Sequence, residues 1–234
     1  MKKETVILTG ASSGLGWVLA ERLAQAGMKV CAVARNIEKL NRLQKKHPQQ
    51  IFPFSCDVSR SSDVQKVFAD ILQRFPKPGI LINNASVFSS ADFAAESWEN
   101  IDRLIDTNLK GTLYTTRAVI PSMISVKKGW VINISSVSGT RGIPQQAIYG
   151  ASKHGVNGFS EVIAQELLPH GVLVTQICPG GIKTPLWNKK NPYPGKTSQL
   201  IRPEEIADLI LFLLQQPRRT LFKKLVFFPT NEWH

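Results

Sequence analysis

The chain has 234 residues, with 29 Lys+Arg against 17 Asp+Glu for a formal net charge of +12, and 43% of its residues are hydrophobic. That length and balance belong to a folded domain with a core of its own, and exclude a collagen-like, low-complexity or disulfide-stapled chain. Three cysteines, Cys31, Cys56 and Cys178, stand in apolar surroundings, without metal-ligand spacing to one another or to the four histidines. No disulfide framework and no metal site are expected, and the cytoplasm is the expected compartment. Met1-Lys2-Lys3 has the charge of a leader, but Thr9 and Gly10 break the apolar run that follows. No stretch approaches the roughly 20 apolar residues that span a bilayer. The basic residues are spread along the chain, with the densest run at 35–46 reading as one helix face plus a loop. Such a surface is solvated and concentrates anionic cofactors or substrates; a nucleic-acid partner is not expected.

In chain order, seven short β-rich runs are predicted as strands: residues 5–9, 29–34, 51–54, 80–83, 130–134, 172–177 and 225–228. Between them, helical patterns cover residues 16–26, 38–46, 63–75, 98–124, 147–168 and 204–214. Several strands are apolar on both faces, which suits a parallel sheet covered by helices on each side. The alternation predicts an α/β, Rossmann-type doubly wound fold around a seven-stranded, mainly parallel sheet, as one domain over residues 1–234. Gly27 and Gly171 read as helix stops, and Ser61 or Ser62 as an N-cap. Residues 184–202, broken by Pro185, Pro192, Pro194 and Gly195, form the one long loop and are expected to act as a substrate lid.

The first strand runs into Thr9-Gly10-Ala11-Ser12-Ser13-Gly14-Leu15-Gly16, and a helix follows. Glycines there allow a tight turn and close approach of a phosphate, while the helix start supplies free N–H groups and a positive dipole end. Gly10, Ser12, Ser13, Gly14, Leu15 and Gly16 are therefore candidate cofactor-binding residues. At the end of the second strand, an acidic residue would bond an adenosine ribose 2′-hydroxyl. The strand instead ends Ala34-Arg35-Asn36, with no carboxylate before Glu38. Arg35, with Asn36, is placed for a 2′-phosphate, so the expected cofactor is NADP(H). The alternative for Arg35 is an exposed helix-start side chain with no ligand.

Tyr149 and Lys153 are spaced i, i+4 at the start of a helix that follows the fifth strand, so they share a face. Ionising a tyrosine at pH 7 costs about 4 kcal/mol. A lysine ammonium about 5 Å away returns roughly 3 kcal/mol at an effective dielectric of about 20. The pair is therefore expected to bring the phenol within reach of proton exchange near neutral pH, as a redox reaction between hydroxyl and carbonyl requires.

With Cys56-Asp57-Val58, Asn83-Asn84-Ala85, Thr107-Asn108, Ile134-Ser135-Ser136, Tyr149-Gly150-Ala151-Ser152-Lys153 and Pro179-Gly180-Gly181-Ile182-Lys183-Thr184 added to the glycine turn, the chain resembles the short-chain dehydrogenase/reductase family over essentially its whole length. The resemblance implies roles. Tyr149 would be the general acid, Ser136 would hydrogen-bond the same carbonyl oxygen, and Lys153 would lower the tyrosine pKa and hold the nicotinamide ribose. Asn108 would support a proton relay or bridge backbones. Asp57 would bond the adenine amino group or serve as a turn residue, beside Val58. Asn84 and Ala85 would line the ribose region, and Pro179, Gly180, Ile182 and Thr184 the nicotinamide. Two departures stand out: Ser86 replaces the usual glycine after Asn83-Asn84-Ala85, and the chain ends Leu225-Val-Phe-Phe-Pro-Thr-Asn-Glu-Trp-His234 without a glycine-rich finish. The aromatic tail, Phe227, Phe228 and Trp233, is expected to pack on a neighbour or on its own core.

The implied activity is an NADP(H)-dependent carbonyl reductase or alcohol dehydrogenase, a homodimer or homotetramer. A 3-oxoacyl-thioester reductase and a catalytically weak NADP(H)-binding sensor are the alternatives. Phe88, Trp187 and Tyr193 point to a partly apolar substrate pocket. Lys189, Lys190, Lys196 and Arg202 either meet an anionic group or are a solvated lid surface. His154, beside the tyrosine–lysine pair, has no evident partner and is expected on the surface.

Overall fold

Seven parallel strands form one sheet in the order β3-β2-β1-β4-β5-β6-β7 in the computed structural model, which describes residues 4–189, 191–193 and 195–232. Of the residues singled out above, 1–3, Lys190, Pro194, Trp233 and His234 lie outside that set. The strands are β1 (Thr5–Thr9), β2 (Lys29–Ala34), β3 (Ile51–Ser55), β4 (Ile80–Asn83), β5 (Gly129–Ile134), β6 (Val172–Pro179) and β7 (Lys224–Phe227). The helices are α1 (Gly14–Gln25), α2 (Ile37–Lys46), α3 (Ser61–Arg74), α4 (Trp98–Leu104), α5 (Gly111–Ser125), α6 (Ala147–Leu167) and α7 (Pro203–Gln215). The doubly wound architecture expected from the alternation of elements is the one observed.

Alternation along each strand divides the core in two. Val6, Leu8, Val30 and Ala32 meet Leu19 and Leu23 of α1, Leu40 and Leu43 of α2, and Ile206 and Ile210 of α7 on one face. Ile7, Cys31, Val33, Leu81 and Val131 meet Phe68 and Ile71 of α3, Val119 and Met123 of α5, and Ile163 and Leu167 of α6 on the other. Both faces of the central strands are dry, which is why they read as unbroken apolar runs. The order reverses between β1 and β4, and the level register Thr9↔Val33, Asn83↔Asn133 and Ile134↔Ile177 brings the carboxyl ends of the strands together there. That switch point is where open α/β sheets bind ligands.

Local corrections are small, and one is informative. The helix expected over 98–124 is interrupted: Ile105–Lys110 is π-helical, between α4 and α5. Ser61 and Ser62 do not cap α3; Arg60 holds that position without a side-chain bond, and the first-turn Asp63 instead accepts from Asp57 N at 2.9 Å. Gly27 and Gly171 do take left-handed φ, at 82° and 72°. The aromatic finish folds on its own chain: Phe227 packs against the α1/α7 core, and the Arg141 guanidinium lies 4.9 Å from the Phe228 ring.

Candidate functional site

Two cavities meet at the carboxyl edge of the sheet. The larger, about 680 Å³, is a cleft lined by Gly10, Ser12 to Gly16, Ala34 to Asn36, Asp57, Val58, Asn84 to Ser86, Tyr149, Lys153, Ile182 and Thr184, all but Ala34 and Ser86 named from the sequence as candidates. The smaller, about 360 Å³, shares Phe88, Tyr149, Ile182 and Thr184 with it and adds Ser136, Pro179, Gly180, Trp187 and Tyr193. Pro179 and Gly180, expected beside the cofactor, thus face the second cavity. Sequence reading missed Lys39 and Arg103, which also line the cleft. Lys39 could have been found, since the N-cap Asn36 puts it in the first turn of α2.

The glycine turn is built by exclusion. Gly10 has φ +69°, and a Cβ there would lie 2.8 Å from Ala85 Cα. At Gly16 a Cβ would run into the Gly10 carbonyl oxygen, so the turn closes only without side chains at both positions. Behind it, Thr9 Oγ1 accepts from the main-chain N–H groups of Asn84 and Ala85 at 3.0 and 3.1 Å, and the Asn84 side-chain Nδ2 donates to Thr9 O at 3.0 Å. Asn84 therefore ties β4 to the turn. Ser13 is the N-cap of α1 yet its side chain makes no capping bond, which leaves the hydroxyl and the helix N–H groups facing the cleft.

At the far end of the cleft, Asn36 Oδ1 accepts from Lys39 N at 2.9 Å and starts α2. The exposed Arg35 and Lys39 side chains flank it, and among the described residues no carboxylate forms a salt bridge with either. Asp57 is partly committed to its turn, with Oδ1 accepting from Ser59 N at 3.1 Å and Ser59 Oγ at 2.7 Å. Its other oxygen keeps the capacity to accept from a ligand.

Tyr149 sits at the junction of the cavities, 8% exposed, with Lys153 on the next turn at 2%. The Ser136 and Ser86 hydroxyls stand close enough to the Tyr149 hydroxyl to favour its ionised form, so Ser136 rather than Ser135 faces it. Ser135 Oγ donates to Lys153 O instead, at 3.3 Å. Lys153 Nζ donates to Ile134 O at 3.0 Å and lies 5.6 Å from the tyrosine ring centroid. The electrostatics differ from the sequence expectation. Burial pushes the Tyr149 phenol up to about 12, opposed by the Ser136 and Ser86 hydroxyls, and burial brings the Lys153 ammonium down to about 8. Desolvation outweighs the ammonium's attraction because both groups are dry and the lysine is directed to a main-chain oxygen.

Asn108 occupies the π-helical segment and is 1% exposed. Its Oδ1 accepts from Ser86 Oγ at 3.1 Å and Val87 N at 2.8 Å, while Nδ2 donates to Val87 O at 2.9 Å and Ser152 Oγ at 3.1 Å. That full set of bonds makes its side chain a clamp between the β4 exit and α6, one residue away from the Tyr149 hydroxyl through Ser86. Ser86 does not strain the backbone, because among the described residues only Lys127 and Gln145 are non-glycine positions with positive φ.

Phe88 stacks edge-on against Tyr149 at 4.9 Å and Trp187 at 5.0 Å, and Trp187 against Tyr193 at 5.1 Å, forming one aromatic wall of the second cavity. Lys189, Lys196 and Arg202 do not line that cavity; Arg202 pairs with Glu205 on the surface at 3.3 Å. His154 is exposed, with Nδ1 2.9 Å from Gly150 O. Among the described residues no cluster of His, Cys, Asp and Glu could hold a metal ion, and no helix is long and apolar enough to cross a membrane. The three cysteines are buried and free.

Known proteins share this arrangement. The sequence model of the short chain dehydrogenase family matches residues 4–194. An uncharacterised oxidoreductase of Staphylococcus saprophyticus is 34% identical over 221 residues, 93% of each chain. Among solved structures, a closed form of serine dehydrogenase complexed with NADP+ superposes with a TM-score of 0.91 at 29% identity, covering 98% of this chain and 96% of that one. The 3-ketoacyl-(acyl-carrier-protein) reductase of Brucella melitensis, complexed with NADH, gives 0.89 at 25% identity, covering 98% of each. With the family model spanning most of the chain, and with the fold and the order of its motifs in agreement, this protein belongs to the short-chain dehydrogenase family of oxidoreductases.

Proposed function

We propose that the chain transfers a hydride between NADP(H) and a carbonyl or secondary-alcohol substrate, with Tyr149 as general acid in reduction and general base in oxidation. The observation that carries this reading is Tyr149 at the meeting point of two cavities, with the Ser136 hydroxyl facing its own and the buried Lys153 beside it. A phenol held near 12 stays protonated at neutral pH, the form that donates to a carbonyl oxygen.

The residues of the cleft fit a dinucleotide. Gly10 and Gly16 leave a cradle that side chains would fill, and the start of α1 with the Ser13 hydroxyl supplies donors for a pyrophosphate. Arg35 and Lys39 supply two unpaired cations for a ribose phosphate, which favours NADP(H) over NAD(H). Asp57 and Val58 would hold the adenine, and Ile182 and Thr184 the nicotinamide end, with Pro179 and Gly180 behind them. Bound there, the nicotinamide supplies the hydride for the carbonyl carbon. Lys153 would hold its ribose, Ser136 and Tyr149 would fix the carbonyl oxygen, and Asn108 would keep Ser86 and the β4 exit in register with α6.

Small carbonyl compounds suit the 360 Å³ aromatic cavity better than a carrier-bound thioester, since Lys189, Lys196 and Arg202 stand away from it. The proposed working form is a homo-oligomer in the cytoplasm; Val226 on the open edge strand and Phe212 on α7 are 43% and 51% exposed. A light-scattering mass of one chain overturns that. The enzymatic reading is tested by comparing wild type with Tyr149→Phe on a panel of ketones and aldehydes with NADPH. A loss of about a hundredfold or more in kcat, with NADPH affinity retained, is expected. Equal rates refute the assigned acid, and tight NADPH binding with no turnover in wild type favours the sensor.

A further inference from the structure

The second cavity ends, opposite Tyr149, in a wall made by the last described residues of the chain, and the proposed hydride transfer makes no use of it. After β7 the tail turns back, with Glu232 N donating to Pro229 O at 2.9 Å. The Glu232 carboxylate accepts from Gly181 N, at 3.2 Å to one oxygen and 3.0 Å to the other, and from the Tyr193 hydroxyl at 2.6 Å. Both Gly180 and Gly181 are packed so closely that a Cβ on either would lie 2.5 Å from a Glu232 oxygen. The tail is thus docked on the loop that follows β6. Asn231 Nδ2 donates to the Tyr193 oxygen at 3.4 Å, while its Oδ1 is buried and, among the described residues, accepts no hydrogen bond.

One carboxylate and one guanidinium, Glu232 and Arg141, stand at this end of the cavity, with Asn231 beside them and its Oδ1 buried. Arg141, the cation on the same wall, donates from Nη2 to the Glu232 main-chain oxygen at 3.1 Å and lays its guanidinium over Phe228. It braces the tail. The wall formed by Phe88 and Trp187, between Tyr149 and Tyr193, is apolar. A carboxylate has about four lone-pair sites, so Glu232 retains room for a further donor. A substrate carboxylate beside Glu232 would meet a like charge and be repelled.

We propose that Glu232 forms a specificity subsite for an ammonium group of the substrate. The preferred substrates are then amino ketones and amino alcohols whose nitrogen is separated from the reacting carbon by a short apolar spacer. This rests on the reductase reading, because the carbonyl is taken to lie at Tyr149 and Ser136.

The test titrates the protein, saturated with NADP+, calorimetrically with three secondary alcohols of one chain length that end in an ammonium, a methyl or a carboxylate. The ammonium-ended alcohol is expected to bind about tenfold tighter than the methyl-ended one, the size of one charge-assisted bond, and the carboxylate-ended one weakest. Glu232→Gln, checked by its unfolding midpoint, is expected to abolish the preference, and Glu232→Asp to keep its sign. Equal affinities, a preference for methyl or carboxylate, or a preference that survives Glu232→Gln in a folded variant overturns the subsite. Reduction of the methyl-ended ketone by NADPH separates the two failures. Turnover without the preference refutes the subsite alone; no turnover of any of the three ketones and no binding of any alcohol refutes both.

Discussion

Removing the Arg35 side chain is expected to weaken NADPH about tenfold and NADH less than about twofold. Arg35 and Lys39 are both exposed at the end of the cleft, so solvent screens them and each contact belongs at the low end of charge-assisted bonds, about 1.5 kcal/mol. Two such contacts sum to about 3 kcal/mol, a preference of roughly a hundredfold for NADPH over NADH in wild type. The local backbone does not depend on the guanidinium: Ser55 Oγ bonds the Arg35 main-chain oxygen at 3.2 Å, and α2 is capped by Asn36. Arg35→Ala therefore reads the contact rather than a collapse of the loop. Parallel fluorescence titrations with both cofactors, for wild type, Arg35→Ala, Lys39→Ala and the double variant, measure the effect. Repeating them at higher salt should narrow the NADPH preference, since the ribose phosphate is the extra charge. An equal loss for NADPH and NADH in Arg35→Ala, or a wild type that binds both alike, refutes the assignment of these two cations.

Lys153, brought down to about 8 by burial, is charged below that pH and loses its proton as pH rises through it. The kcat/KM for NADPH, which reports free-enzyme groups, should accordingly fall on an alkaline limb near 8; a flat profile from 7 to 10 contradicts this. Tyr149, near 12, stays protonated across that range, so the limb belongs to the lysine. Replacing Asn108 with Ala leaves Val87 N and Val87 O without partners at a half-buried position and should cost about 2 kcal/mol of unfolding free energy, read from urea denaturation. A loss under about 0.5 kcal/mol would mean that water replaces the amide. Ser86→Gly removes one of two hydroxyls that face Tyr149; reduction should slow several-fold with little change in KM, while an unchanged rate would leave Ser136 as the one neighbour that matters.

How much of this was legible from the chain depends on the range of the interaction. The seven strands and the helices between them follow from runs of apolar residues whose periods, two and 3.6, belong to local geometry. Gly10 and Gly16 could be named because the absence of a side chain is a property of one residue, and Tyr149 and Lys153 because i, i+4 spacing sets a shared helix face. The π-helical turn at Ile105–Lys110 could not be read, since it shows only as a shift in hydrogen-bond partners. Nor could the pKa shifts, because desolvation depends on everything packed around the phenol and the ammonium. Local pattern was thus enough for the fold, the glycine turn and the paired Tyr149 and Lys153. The tertiary structure alone shows that Asn108 clamps Val87 to α6, and that Glu232, 83 residues beyond Tyr149 in the chain, closes the same cavity. Those contacts join segments that have no common period or spacing, and packing alone brings them together.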